Sequence, residues 1–72
     1  MKADHLVHMA NQIAVFFASY PREEAVSGVA DHLKKFWERR MLEQAFEYID
    51  EGGSGLHPLA FEALHRLHSP AS

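Results

Sequence analysis

Apolar residues return along this chain at steps of three and four, the period an α-helix needs to gather them on one side. Leu6, Met9, Ala10, Ile13, Phe16, Phe17 and Tyr20 mark a first apolar face and predict a helix over residues 4–19, opened by Asp4, a good N-cap type. Val7, Ala14, Val15 and Ala18 lie off that face, so only His8, Asn11, Gln12 and Ser19 offer polar surface along most of the segment. A helix apolar nearly all round is normally buried on more than one side. In so short a chain, the surplus predicts a partner.

Pro21 has the fixed φ of a first helical turn, and Glu23 and Glu24 follow where the helix dipole favours negative charge, so a second helix is predicted over 21–37. Ala25, Val26, Val29, Ala30, Leu33, Phe36 and Trp37 form its apolar stripe, with Glu24, Ser27, Asp31, Lys34 and Lys35 opposite. Gly28 costs about 1 kcal/mol relative to alanine in a helix; a close helix crossing would account for it. Met41, Leu42, Ala45, Phe46 and Ile49 carry a third helix over 39–50, and the stripe shifts phase near Trp37 to Arg39, which predicts a break there. "DEGGSG" ends it, because acids disfavour a helix C-terminus and glycines supply turn conformations. Pro58 opens a fourth helix over 58–68, with Leu59, Ala60, Ala63, Leu64 and Leu67 as its face, and the terminal "SPAS" is expected to fray. No stretch alternates with period two, so the expected fold is all-α, a small bundle of four short helices in a single domain over 1–72.

Length sharpens the case for a partner. A chain of 72 residues buries only about 60% of its unfolded surface, and domains this small usually add disulfides, a metal or a second chain. The absence of cysteine excludes disulfides, thiolate zinc sites, iron–sulfur ligation and thiol catalysis, and it fits a reducing compartment, with the cytoplasm as the default. The opening "MKADHLVHMANQIAVFFASYP" has the outline of a leader peptide, but Asp4, His5, His8, Asn11 and Gln12 interrupt it. Nothing approaches the roughly 18 apolar residues of a membrane span. A net charge of −3 opposes generic affinity for nucleic-acid backbones or anionic membranes.

Candidate chemistry is sparse. His5 and His8, and again His65 and His68, are spaced to share a helix face, but a metal needs further ligands and an oriented second shell, so exposed or capping histidines are the preferred reading. "HLKKFWERRM" sets Phe36 and Trp37 between Lys34, Lys35, Arg39 and Arg40; a nucleic-acid platform needs exposed rings in a basic groove. Here the rings continue the apolar stripe and are expected in the core. Asp31 with Lys35 and Arg39 with Glu43 are placed as helix-surface pairs. Glu23 and Glu24 suit the helix dipole better than acid–base work, and "GGSG" lacks the lysine and context of a phosphate loop.

Taken together, "MANQIAVFF", "YPREEAVSGVADHLKKFWERRM" and "GGSGLHPLAFEAL" resemble the small delta subunit of soluble NAD-dependent formate dehydrogenases that use a molybdenum or tungsten cofactor. The likeness runs from Met9 to Leu64, and its most specific pieces are "MANQI", the "AVSGVADHLKKFW" helix, the "RM" after it and "GLHPL". The resemblance implies a non-catalytic accessory chain of an oxidoreductase complex, active in assembly, stability or molybdenum-cofactor maturation. It also implies that the pterin, iron–sulfur, FMN and NAD groups belong to alpha, beta and gamma subunits, with alpha the foremost contact. No cofactor, catalytic residue or metal is assigned to this chain, and docking is assigned to Val7, Asn11, Val15, Phe36, Trp37, Arg39, Arg40 and Met41. Two departures stand out: Glu38-Arg39 replaces the Asp-Pro usual after Phe-Trp, and His57 replaces a serine before Pro58, so the fourth helix is expected to fray at its start. For the isolated chain the sequence leaves a homo-oligomer open. The alternative function is a homo-oligomeric helical regulator that binds nucleic acid.

Overall fold

The computed structural model describes residues 3–68 and contains four helices, α1 (Ala3–Phe17), α2 (Arg22–Phe36), α3 (Arg39–Asp50) and α4 (Pro58–His68). The terminal "SPAS" lies outside the described residues. Helix α1 already includes Asp4 in its first turn, and it closes through a turn in which Tyr20 N–H donates to the Phe17 carbonyl at 3.0 Å. Pro21 stands just before α2, with φ −54° and ψ 147°, and its carbonyl accepts the Ala25 N–H at 2.8 Å.

Between α2 and α3 the chain takes two extended residues, Trp37 at φ −90°, ψ 137° and Glu38 at φ −68°, ψ 155°. No proline is needed for this break. Trp37 N–H still donates to the Leu33 carbonyl at 2.9 Å, and Glu38 offers its carbonyl to the Leu42 N–H at 3.0 Å, so both helix ends keep a backbone partner.

The core is made largely of small side chains at helix crossings. Ala10 and Ala14 of α1, Ala25 of α2, and Ala60 and Ala63 of α4 are buried around Val26, Val29, Leu33 and Leu64, the largest fully buried side chains. The pairing of α2 with α4 is the most extensive. This corrects the apolar face expected of the first helix. Ala14, expected off the face, is fully buried, whereas Phe16 and Tyr20 are exposed at 69% and 48%. The buried line runs Leu6, Ala10, Ala14 in steps of four, and Phe16, two residues further on, points about 200° away from it. Phe36 is corrected likewise: it is 70% exposed, and only Trp37 of the aromatic pair is buried. Helix α2 ends at Phe36, and the extended backbone that follows carries Trp37 inward.

At Gly28, where a close helix crossing was expected, the close approach is that of a side-chain ring. A Cβ built there would lie 2.5 Å from the Phe17 ring, so the ring packs directly on the α2 backbone.

Helix α3 ends in a Schellman arrangement: Gly53 N–H reaches the Tyr48 carbonyl and Gly52 N–H the Ile49 carbonyl, both at 3.0 Å, with Gly52 at φ 116° and Gly53 at φ 61°. The following loop is clasped from α1. Asn11 donates through Nδ2 to the Gly55 carbonyl at 2.9 Å, and its Oδ1 accepts the His57 N–H at 2.8 Å. His57 in turn caps α4, its Nδ1 accepting the Leu59 N–H at 3.1 Å and its carbonyl the Phe61 N–H at 2.9 Å. The start of α4 is therefore tied down from both sides, where fraying was expected.

On the α2–α4 surface, Arg22 hydrogen-bonds Glu62, and Arg66 bridges Glu62 at 3.0 Å and Glu23 at 2.8 Å. The Arg22 hydrogen bond holds the Glu62 carboxyl below the usual carboxylate range, partial desolvation opposes this, and the Arg22 charge and Arg66 reinforce it.

Candidate docking surface

A groove of about 770 Å³ opens between α1, the end of α2 and the start of α3. Each wall follows from the local fold just described. Because the alanine line of α1 turns inward, Met9 and Ile13 are left half-buried on its flank and Phe16 on its open side. Phe17 leans on Gly28 and meets Phe16 edge-on, ring centroids 5.1 Å apart and planes at 89°. From the opposite side Phe36 stands over the groove, steadied by His32 at a centroid distance of 4.7 Å. Trp37, at 7% exposure, lies at the corner with Met41. The polar members are His5, Gln12 and His32, and no Asp, Glu, Lys or Arg lines the groove.

Such a surface suits docking and offers little to chemistry. Its rings and thioethers present apolar area with few polar atoms to fix a small ligand, whereas aromatic and methionine side chains are enriched where proteins meet. Among the described residues, no three His, Asp or Glu side chains are grouped so as to hold a metal ion. The chain also has no cysteine. Without cysteine it supplies no thiolate ligand of the kind that holds an iron–sulfur cluster.

The residues assigned to docking from the sequence are distributed unevenly. Phe36, Trp37 and Met41 come together in the groove. Val15 is 63% exposed and borders a neighbouring hollow with His8, Asn11, Gln12 and Phe16. Asn11 is half-buried and spends both ends of its amide on the 55–57 backbone, while Val7 packs toward Gly55. Arg39 is exposed and paired with Glu43 at 3.1 Å; Arg40 is exposed with no ion pair among the described residues. Sequence reasoning missed Met9, Ile13, Phe16 and Phe17 as groove residues, having placed all four on the core face. The available signal was the run from His5 to Tyr20, which contains no Asp, Glu, Lys or Arg.

The other candidate sites are less developed. Lys35 meets Asp31 at 3.9 Å, and with Trp37 buried the two rings of "HLKKFWERRM" do not form a shared stacking platform. His5 and His8 are exposed on α1. His68 stacks on Phe46 at 4.6 Å and contacts Asp50 at 3.2 Å.

Comparison with known proteins addresses what this surface serves. Residues 5–64 match the family described as the NADH-dependent formate dehydrogenase delta subunit, FdsD. The chain belongs to that family. It is thus a relative of one subunit of a formate dehydrogenase complex, and association with the other subunits follows from the family's description. Searches of curated proteins and of solved structures find no match. Among the described residues, no helix is long and apolar enough to cross a membrane.

Proposed function

We propose that this chain is a non-catalytic docking subunit of a cytoplasmic NAD-dependent formate dehydrogenase, seated through the groove on a larger subunit, alpha foremost. One observation carries the reading. Phe16 and Phe36 stand 69% and 70% exposed on either side of a groove that no charged residue lines. Covering an exposed phenylalanine contributes about 1.5–3 kcal/mol, so the pair alone gives a partner a substantial apolar anchor. In this reading the molybdenum or tungsten pterin, iron–sulfur, FMN and NAD groups reside in alpha, beta and gamma. The chain contributes to assembly, to stability or to maturation of the molybdenum cofactor.

Co-purification from the native cell tests the proposal. A tagged chain retrieves alpha in mild salt, and Phe36→Ala lowers the yield at least about tenfold, the effect of losing roughly 1.4 kcal/mol. Retrieval of no dehydrogenase subunit overturns the reading. Equal stoichiometry in the mature enzyme identifies a permanent subunit; association with immature alpha only identifies a maturation factor.

A further inference from the structure

The start of α4 rests on an imidazole. Pro58 carries no N–H, so the first donor this helix must satisfy is Leu59 N–H, and it donates to His57 Nδ1 at 3.1 Å in a part-buried position. Two backbone groups of His57 are also engaged, its N–H with Asn11 Oδ1 and its carbonyl with the Phe61 N–H. Of these three contacts, only the ring bond depends on a side-chain proton.

We propose that His57 is a proton-dependent cap: neutral, with its ring proton on Nε2, it fastens the start of α4, and on protonation it releases Leu59 N–H and loosens the junction with the 55–57 loop. Ring chemistry is the first argument. An imidazole nitrogen accepts through a lone pair, and a ring protonated at both nitrogens has none. Position is the second, because a helix N-terminus carries positive partial charge and disfavours a cation beside it. The surroundings are the third. Around this corner lie His8 of α1, which shares a hollow with Asn11, and Tyr48 of α3, whose hydroxyl donates to the Ser54 carbonyl. Arg22 of α2 and Glu62 and His65 of α4 line another hollow with Leu56 and Pro58, and Glu62 is already engaged by Arg22 and Arg66. None of the ion pairs among the described residues involves His57, so no carboxylate there offsets a charge on its ring.

The far end of α4 makes the opposite demand. His68 contacts Asp50 at 3.2 Å and stacks on Phe46, in a last helical turn that favours a cation, with Lys34, Arg39 and Glu43 lining the same hollow. Protonation turns the Asp50 contact into an ion pair. Acid therefore moves the hold on α4 from its start toward its end.

Nuclear magnetic resonance on the full chain between about pH 8 and 5.5, within the span where histidine changes charge, tests the cap. At the upper limit the imidazole nitrogen shifts should place the His57 proton on Nε2. At the lower limit the amide protection factor of Leu59 falls at least about threefold, the effect of losing one hydrogen bond, while that of fully buried Val29 holds. His57→Asn supplies a cap that accepts at any pH and keeps Leu59 protected throughout, and His57→Ala lowers its protection at both limits. His68→Asn leaves the Leu59 response in place. His57→Ser is the second capping variant should His57→Asn alter helix content by circular dichroism. A His57 proton on Nδ1, a Leu59 protection factor indifferent to pH or to His57→Ala, or the same acid loss in the Asn and Ser variants each overturn the proposal. No partner subunit enters the measurement, so its result stands apart from the docking reading.

Discussion

The two sides of the bundle are built on opposite plans. Where α2 meets α4, small residues bring the helices together, the cores of both are covered, and Arg22, Glu23, Glu62 and Arg66 link the surface above them. Where α1 meets the end of α2, large rings stand at the rim of an open groove and charge is absent. One side completes its own burial; the other leaves Phe16 and Phe36 exposed. If the groove is the docking surface proposed above, substitutions should separate stability from docking.

The largest contrast is between Leu64 and Phe36. Leu64→Ala removes a fully buried side chain and is expected to cost about 2–5 kcal/mol, enough to unfold much of so small a domain, as thermal melting followed by circular dichroism would show. Phe36→Ala, proposed above to weaken docking, should change stability by no more than about 0.5 kcal/mol in the same melt. Equal losses from both would erase the distinction between the two sides.

Asn11→Ala should fall between them. It strips the exposed Gly55 carbonyl and the part-buried His57 N–H of their side-chain partner and is expected to cost about 1–1.5 kcal/mol, with faster amide exchange at His57. A loss confined to docking would place Asn11 on the interface side of the comparison.

The smallest effect is expected from Glu62→Gln and depends on pH. Because the folded state holds the Glu62 carboxyl below its unfolded value, its contribution is present above the unfolded value and lost as pH falls through the folded one. The parent chain should melt above the variant at neutral pH, and the gap should close on acidification through the carboxylate range. A gap that widened in acid would contradict the Arg22 assignment.

Much of this architecture was legible in the sequence, and the misreadings have physical causes. Helix α2 was readable because its apolar positions occupy one stripe with charges opposite, leaving a single choice of buried face. Helix α1 is apolar nearly all round, so periodicity could not decide between the line through Ala14 and the line through Phe16. Tertiary packing decided it, burying Ala10 and Ala14 and leaving Phe16 outside. Phe36 followed the period of α2 into the expected core, but the helix ends at that residue and Trp37 takes the inward place. Three features rest on partners distant in sequence and had no local signal: the Asn11 clasp, the Arg22 to Glu62 link, and the ring of Phe17 on Gly28. The His57 cap was local but came from a residue type that propensity ranks low.

The Asn11 clasp also bears on the order in which the chain can fold. The glycine turn after α3 closes through contacts only a few residues apart, but the clasp joins Asn11 to Gly55 and His57, 44 and 46 positions away. Long separations of this kind must be closed before they contribute, which favours their late formation. The helix that lines the groove is thus also the one that fastens the 55–57 loop.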